Sequence, residues 1–342
     1  MPQSLTLKEN SLAFLRGKKN LLAFSGGADS TALFFLLLKH KIPFDIAIVD
    51  YGIRQQSKEE VAYAKELSST HNLKCFVHNA PTIGKNFEAK AREIRYGFFE
   101  ELVQKYGYEN LITAHHLGDR FEWLLMQFCK GAGCVEIAGM QVAQKRDFYT
   151  LVRPLLHLDK QELLLYLRAN EKLYFEDETN MDEDIKRNSF RHNYSLPLLE
   201  KYLQGIKKSF EYIDEDRDAL LEQEIEIKKI DDFAYFKTIN NKRAEIFAID
   251  KYLKSQGYML SFSEREALRG EKNLQVGRKF IVNQDDRGFV FIAPYIKNTK
   301  EMPSTFKEEC RLLKIEPKLR YYFYTHQDAS LGLKELLGSR AI

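Results

Sequence analysis

The chain has 342 residues, which at roughly 150 residues per domain makes two domains. Apolar residues at 44% and charged residues at 30% make a globular chain with a core and exclude a disordered one. A net charge of +3 neither requires nor excludes a polyanionic partner. The four cysteines (Cys75, Cys129, Cys134, Cys310) are scattered and form no Cys-x-x-Cys pair, which speaks against a disulfide framework, a zinc ribbon or an iron–sulfur cluster. The longest apolar run, Ala32–Leu38, is too short to span a membrane, and no apolar stretch opens the chain, so a soluble cytoplasmic protein without a membrane partner is expected. Nothing in the sequence sets an oligomeric state.

In chain order, Asn20–Ser25 (NLLAFS) is an apolar run stopped by two glycines and reads as a buried strand. Asp29–His40 follows as a helix, Phe44–Asp50 as a second strand and Lys58–His71 as a helix. Leu73–His78 is a third strand, Phe87–Tyr106 a helix stopped at Gly107, Asn110–Ala114 a fourth strand and Asp119–Lys130 a helix. A fifth strand lies near Phe148–Val152, and Asp159 with Glu162 forms a capping box for another helix. Strands alternating with helices predict an α/β fold: an open, mostly parallel five-stranded sheet with helices on both faces over residues 1–205. The acidic stretch Glu211–Asp232 reads as a solvated helical linker, 206–235. Residues 236–342 read as a smaller α+β region. It holds a helix over Asn241–Ser255, a capping box at Ser263 and Glu266, and a hairpin of Lys279–Val282 with Gly288–Ile292. Residues 251–321 carry a local charge of +6 with aromatics nearby, suggestive of a polyanion.

The sharpest motif is Ser25-Gly26-Gly27-Ala28-Asp29-Ser30 at a strand-to-helix junction. Two glycines let backbone N–H groups approach a ligand, Ser25 and Ser30 add hydroxyls, and the helix start adds its positive end. Together they cradle phosphate oxygens, with Asp29 suited to Mg²⁺. No Lys-Ser/Thr follows the glycines, so this is not a Walker A loop. In a helix over 115–122, His115, Asp119 and Glu122 would share one face. Two carboxylates there suit an ammonium; a divalent metal site and a structural salt-bridge face are the competing readings. One of His115 and His116 is expected to pack or cap. Cys129 and Cys134, in a Gly-rich segment, read as buried structural thiols.

SGGADS resembles the SGGxDS loop of the PP-loop ATP pyrophosphatases. Ile48–Arg54 (IVDYGIR) is similar to VDHGLR, Phe87–Tyr96 (FEAKAREIRY) to E-x-x-AR-x-x-RY, and Thr113–Glu122 (TAHHLGDRFE) to TAHHxDDxxET. Glu176–Leu198 is similar to ED-S/T-N followed by RN-x-x-R and P-x-L. These segments resemble the tRNA(Ile)-lysidine synthetase family over about residues 20–200, and more weakly to about 295. Tyr51, Gly118 and Trp123 depart from that pattern, and the C-terminal tRNA-binding portion is expected to be shortened.

The resemblance implies that ATP adenylates the wobble cytidine of a CAU-anticodon isoleucine tRNA, and that free L-lysine then displaces AMP. It implies ATP contacts at Ser25, Gly26, Gly27, Ala28, Asp29, Ser30 and Asp50, with Mg²⁺ on Asp29. Asp29, Arg95, Asp119 and Glu122 are the expected catalytic residues, with Asp119 and Glu122 binding lysine. Arg92, His115, His116, Arg187, Asn188 and Arg191 are the expected nucleotide or tRNA contacts; for Arg187, Asn188 and Arg191 the other reading is helix capping. A PP-loop tRNA thiolase, a small-molecule PP-loop amide ligase and a domain that only binds nucleotide are the alternatives.

Overall fold

The computed structural model describes residues 5–52, 55–84, 87–176, 186–221 and 225–338. The chain forms two compact units, Met1–Arg217 and Asp218–Ile342.

The first unit is built on strands β1 (Asn20–Ala23), β2 (Phe44–Asp50), β3 (Cys75–Asn79), β4 (Asn110–Ile112), β5 (Ala143–Lys145) and β6 (Thr150–Val152). Their order is β3-β2-β1-β4-β6-β5, with every pairing parallel except β5 with β6. The sheet thus has six strands where five are expected. The extra edge strand is the short sequence AQK, which carries no apolar run to announce it.

Around the sheet lie α1 (Glu9–Leu15), α2 (Ala28–Lys39), α3 (Gln55–Thr70), α4 (Phe87–Tyr106), α5 (Leu117–Phe128), α6 (Cys134–Ala138), α7 (Lys160–Ala169), α8 (Lys186–Phe190), a π-helical turn over Arg191–Ser195, and α9 (Leu196–Leu221). Successive side chains of β1 serve opposite faces. Leu22 joins a core with α1, α2, α3 and α7, and Leu21 joins one with α4. Burial on both faces is why the central strands read as unbroken apolar runs. From β1, the chain builds β2 and β3 on one side and then crosses to β4 and β6 on the other. That reversal opens a crevice beyond the carboxyl ends of β1 and β4, where such sheets take ligands.

The acidic stretch after residue 206 is only partly a solvated linker. Phe210 on α9 is buried against Phe121 of α5, and Asp214 accepts two hydrogen bonds from the buried Arg120 guanidinium, at 2.9 and 2.5 Å. Residues 228–237 form two strands of the second unit.

The second unit is an antiparallel sheet ordered β7-β8-β11-β10-β9, from β7 (Lys228–Ile230), β8 (Phe233–Lys237), β9 (Asn273–Val276), β10 (Phe280–Gln284) and β11 (Phe289–Pro294). The expected hairpin is the β10–β11 pair. Alternation along β11 sends Val290 and Ile292 into a core with α10 (Lys242–Ser255) and α11 (Phe262–Gly270). Phe289, Phe291 and Ala293 face α12 (Ser304–Leu312), α13 (Pro317–Thr325) and α14 (Gln327–Gly338). The capping box of α11 is Ser261 with Glu264, two residues before the expected Ser263 and Glu266. Both pairs have capping-box spacing, which therefore does not choose between them. No helix of the described residues is long and apolar enough to cross a membrane.

Candidate active site

The end of β1 delivers Ser25, Gly26 and Gly27 to the start of α2. Gly26 has φ +78°, and a Cβ there would meet Glu60 and Phe175 at 3.2–3.3 Å, so only glycine fits without strain. The Gly26 carbonyl accepts from Thr31 Oγ1 at 3.2 Å and from the Phe175 amide at 3.0 Å. Ser30 Oγ donates to the Gly27 carbonyl and accepts from the Ser25 amide, at 3.1 and 3.2 Å. The loop is therefore braced from behind through its carbonyls and hydroxyls. Gly27 is the N-cap of α2 and supplies no side-chain cap, so the first-turn N–H groups keep their capacity for an anion.

Asp29 lies in that first turn. Its Oδ1 accepts from Lys160 Nζ at 2.7 Å, and its Oδ2 lies 3.9 Å from His116 Nε2. Lys160, the first residue of α7, belongs to no sequence motif. Nothing short of the fold brings it across from position 160 to the loop.

At the end of β4 the chain runs through Thr113, Ala114, His115 and His116 into α5. The helix starts at Leu117, so His115 precedes it and does not share a helical face with Asp119 and Glu122. His116 is the capping histidine: its Nδ1 accepts from the Gly118 amide at 3.0 Å, and its own amide donates to Asp119 Oδ2 at 3.0 Å. Its Nε2 lies 3.7 Å from Asp119 as well as 3.9 Å from Asp29, so one imidazole bridges the glycine loop and α5. A Cβ on Gly118 would meet His116 Cε1 at 2.7 Å, so glycine here makes room for that ring. His115 pairs through Nδ1 with Thr113 Oγ1 at 2.9 Å, and loss of solvent brings its pKa down to about 4.

Asp119 and Glu122 are both buried and meet the arginines of the RNSFR segment. Arg187 donates to Asp119 Oδ1 at 2.6 Å and to Glu122 Oε2 at 3.0 Å. Arg191 donates to Glu122 Oε1 at 2.6 Å and Oε2 at 3.2 Å. Burial alone would raise the Asp119 carboxyl. The imidazole of His116, the Arg187 guanidinium and the His116 amide outweigh it and hold the group well below the usual carboxylate range. Asn188 is buried. The acidic loop 177–185, which precedes these arginines in sequence, lies outside the described residues.

On α4, Arg92 and Arg95 are both exposed, and Arg92 lies over the Tyr96 ring at 4.7 Å. Tyr51, after β2, donates to the Ala91 carbonyl at 3.1 Å, which fastens α4 to the end of β2 beside Asp50. Asp50 Oδ1 accepts from the Gly52 amide at 2.8 Å. Trp123 donates to the Glu136 carbonyl at 3.1 Å and covers Gly139, so it anchors α6. Cys129 is exposed and Cys134 half-buried, contrary to the expected pair of buried thiols; they flank the glycine-rich turn after α5. Arg153, just past β6, is buried; it donates to the Gln141 carbonyl and the Gln144 side chain at 3.0 and 3.2 Å.

A PP-loop domain family matches residues 4–197. The tRNA(Ile)-lysidine synthase of Helicobacter pylori strain 26695 is 43% identical, over 91% of this chain and 90% of its own length. That of Campylobacter jejuni strain RM1221 is 41% identical, over 94% of this chain and 98% of its own. Among solved structures, a U34-tRNA thiolase of Methanococcus maripaludis aligns at a TM-score of 0.51 with 20% identity, over 64% of this chain and 76% of its own, a likeness of fold. Matched by the PP-loop model over residues 4–197 and by these synthases at 41–43% identity over 91–94% of its length, this chain belongs to the tRNA(Ile)-lysidine synthase family of PP-loop enzymes.

Proposed function

We propose that the chain uses ATP to join free L-lysine to the wobble cytidine of a CAU-anticodon isoleucine tRNA, in the cytoplasm. The observation that carries this reading is the placement of His116 within 4 Å of both Asp29 and Asp119, which joins a phosphate cradle to an acidic amine site.

The two steps divide between those halves. The cytidine carbonyl oxygen attacks the α-phosphorus, and the pyrophosphate that leaves lies in the cradle of residues 25–30, where N–H donors and the α2 terminus meet its charge. Asp29 fits a divalent cation: it stands at the loop's mouth with one oxygen already matched to a positive group, and Mg²⁺ is commonly held by one or two carboxylates plus phosphates. Mg²⁺ bound there supplies charge neutralisation to the departing phosphates. Arg92 and Arg95, exposed near the carboxyl edge, suit phosphate or base contacts.

In the second step the lysine ε-ammonium gives a proton to a nearby carboxylate, the free amine attacks the activated carbon, and AMP departs with the electrons of the broken C–O bond. Asp119, held ionised, and Glu122 suit recognition of the lysine ammonium. Arg187 and Arg191 pair with these carboxylates and suit the phosphates of the bound substrates as well. Residues 251–321 of the second unit, with their local charge of +6, suit the tRNA body. No observation favours the thiolase reading over this one.

The test is purified protein with ATP, Mg²⁺, radiolabelled lysine and the tRNA transcript. Label in the RNA is expected, and its absence with folded protein refutes the assignment.

A further inference from the structure

The glycine loop Ser25–Ser30 contains no lysine or arginine. A Walker-type loop carries its own lysine for the outer phosphates. Here the fold brings one from elsewhere: Lys160 Nζ lies 2.7 Å from Asp29 Oδ1. We propose that Lys160 is a pyrophosphate-binding catalytic residue, the cation that the loop itself lacks. This rests on the phosphate-cradle reading of residues 25–30.

Three features place Lys160 for that role. It is the first residue of α7, and the reciprocal Asp159–Glu162 capping box fixes where the helix begins. Glu162 is further tied to Lys207 Nζ at 2.7 and 2.9 Å, so the first turn of α7 is held. Behind it, Leu163 and Leu167 are fully buried in the same core as Leu33 and Leu36 of α2. The backbones that carry Asp29 and Lys160 are thus packed together, while the lysine side chain keeps 35% exposure and a flexible four-carbon stem. A phosphate group in the cradle, next to Asp29, lies within the sweep of that stem. With the Asp29 carboxylate engaged by a divalent cation, the Lys160 ammonium would be free to turn to the outer phosphates. There it offsets the negative charge that the β-phosphate gains as the bond to the α-phosphorus breaks.

The competing role is a counter-ion that does no more than neutralise Asp29, and binding measurements on the full chain separate the two. Calorimetric titration of inorganic pyrophosphate in the presence of Mg²⁺ compares the parent protein with Lys160→Met and Lys160→Arg, after a thermal melt confirms that each is folded. Lys160→Met is expected to weaken pyrophosphate binding about tenfold or more, and Lys160→Arg to recover part of the loss. AMP, which lacks the outer phosphates, is expected to bind all three proteins alike. Pyrophosphate affinity unchanged in folded Lys160→Met, or weakened no more than AMP affinity, overturns the assignment. A parent protein that binds neither ATP nor pyrophosphate overturns the cradle reading itself, a result distinct from failure of the lysine alone.

Discussion

Arg191 Nε lies 2.6 Å from Glu122 Oε1, across 69 positions of sequence. Glu122 is only 2% exposed, so its charge is tolerated because Arg191 and Arg187 both donate to it. Arg191→Ala is expected to destabilise the protein by about 2 kcal/mol or more, because a buried carboxylate loses a partner. Adding Glu122→Gln to that variant should recover part of the loss. Urea unfolding of the two single variants and the double variant measures the coupling, and strictly additive effects would show that the pair does not interact.

Asp119 shares Arg187 with Glu122 but also faces His116. Asp119→Asn keeps a similar shape and removes the charge that meets the lysine ammonium. Adenylated tRNA is expected to accumulate while lysine transfer slows. Chromatography of digested tRNA follows both species, and undiminished transfer would remove Asp119 from amine recognition.

Gly118 stands where the family pattern has an acid, and a Cβ there would press on the His116 ring at 2.7 Å. Gly118→Asp should therefore expel that ring, cost about 1 kcal/mol through the lost cap and lower turnover. In a His116→Ala background the same change should cost little more stability than His116→Ala alone. Thermal melts of the four proteins check this; an equal cost in both backgrounds would show that the two side chains are independent.

His157 accounts for part of the acid sensitivity. Burial lowers its pKa from 6.5 to about 4, although its Nε2 lies 3.3 Å from the Thr6 carbonyl. The unfolded chain thus binds a proton there that the folded chain refuses. Its contribution to stability is complete above pH 6.5 and is lost as pH falls from 6.5 toward about 4. His157→Gln should flatten the stability–pH slope in that window by about one proton, read from urea midpoints at several pH values. An unchanged slope would place the titration elsewhere.

Arg278 and Lys279 are exposed at the β9–β10 turn of the second unit. If that unit grips the tRNA backbone, Arg278→Ser with Lys279→Ser should weaken binding and lower the slope of log affinity against log salt by about 1–2. Filter binding over a range of KCl concentrations measures it. Parent-like affinity and slope would leave these residues outside the contact.

The alternation of strands and helices, the glycine loop and the existence of the β10–β11 hairpin are legible in sequence because each depends on neighbours a few residues apart. Apolar runs mark buried strands, the first glycine of the pair marks a turn where a side chain would be strained, and capping pairs obey a fixed spacing. Local spacing also has limits. It does not choose between two overlapping capping boxes at Ser261 and Ser263, and it does not announce AQK as an edge strand. It leaves open whether His115 shares a helical face with Asp119 and Glu122, and the helix begins only at Leu117. The partnerships that make the site (Lys160 with Asp29, Arg187 and Arg191 with Asp119 and Glu122, His116 between two carboxylates) join residues from separate elements. Residue chemistry determined which groups are available, and tertiary packing alone decided which charges meet, because Coulomb attraction depends on separation in space and carries no trace in sequence distance.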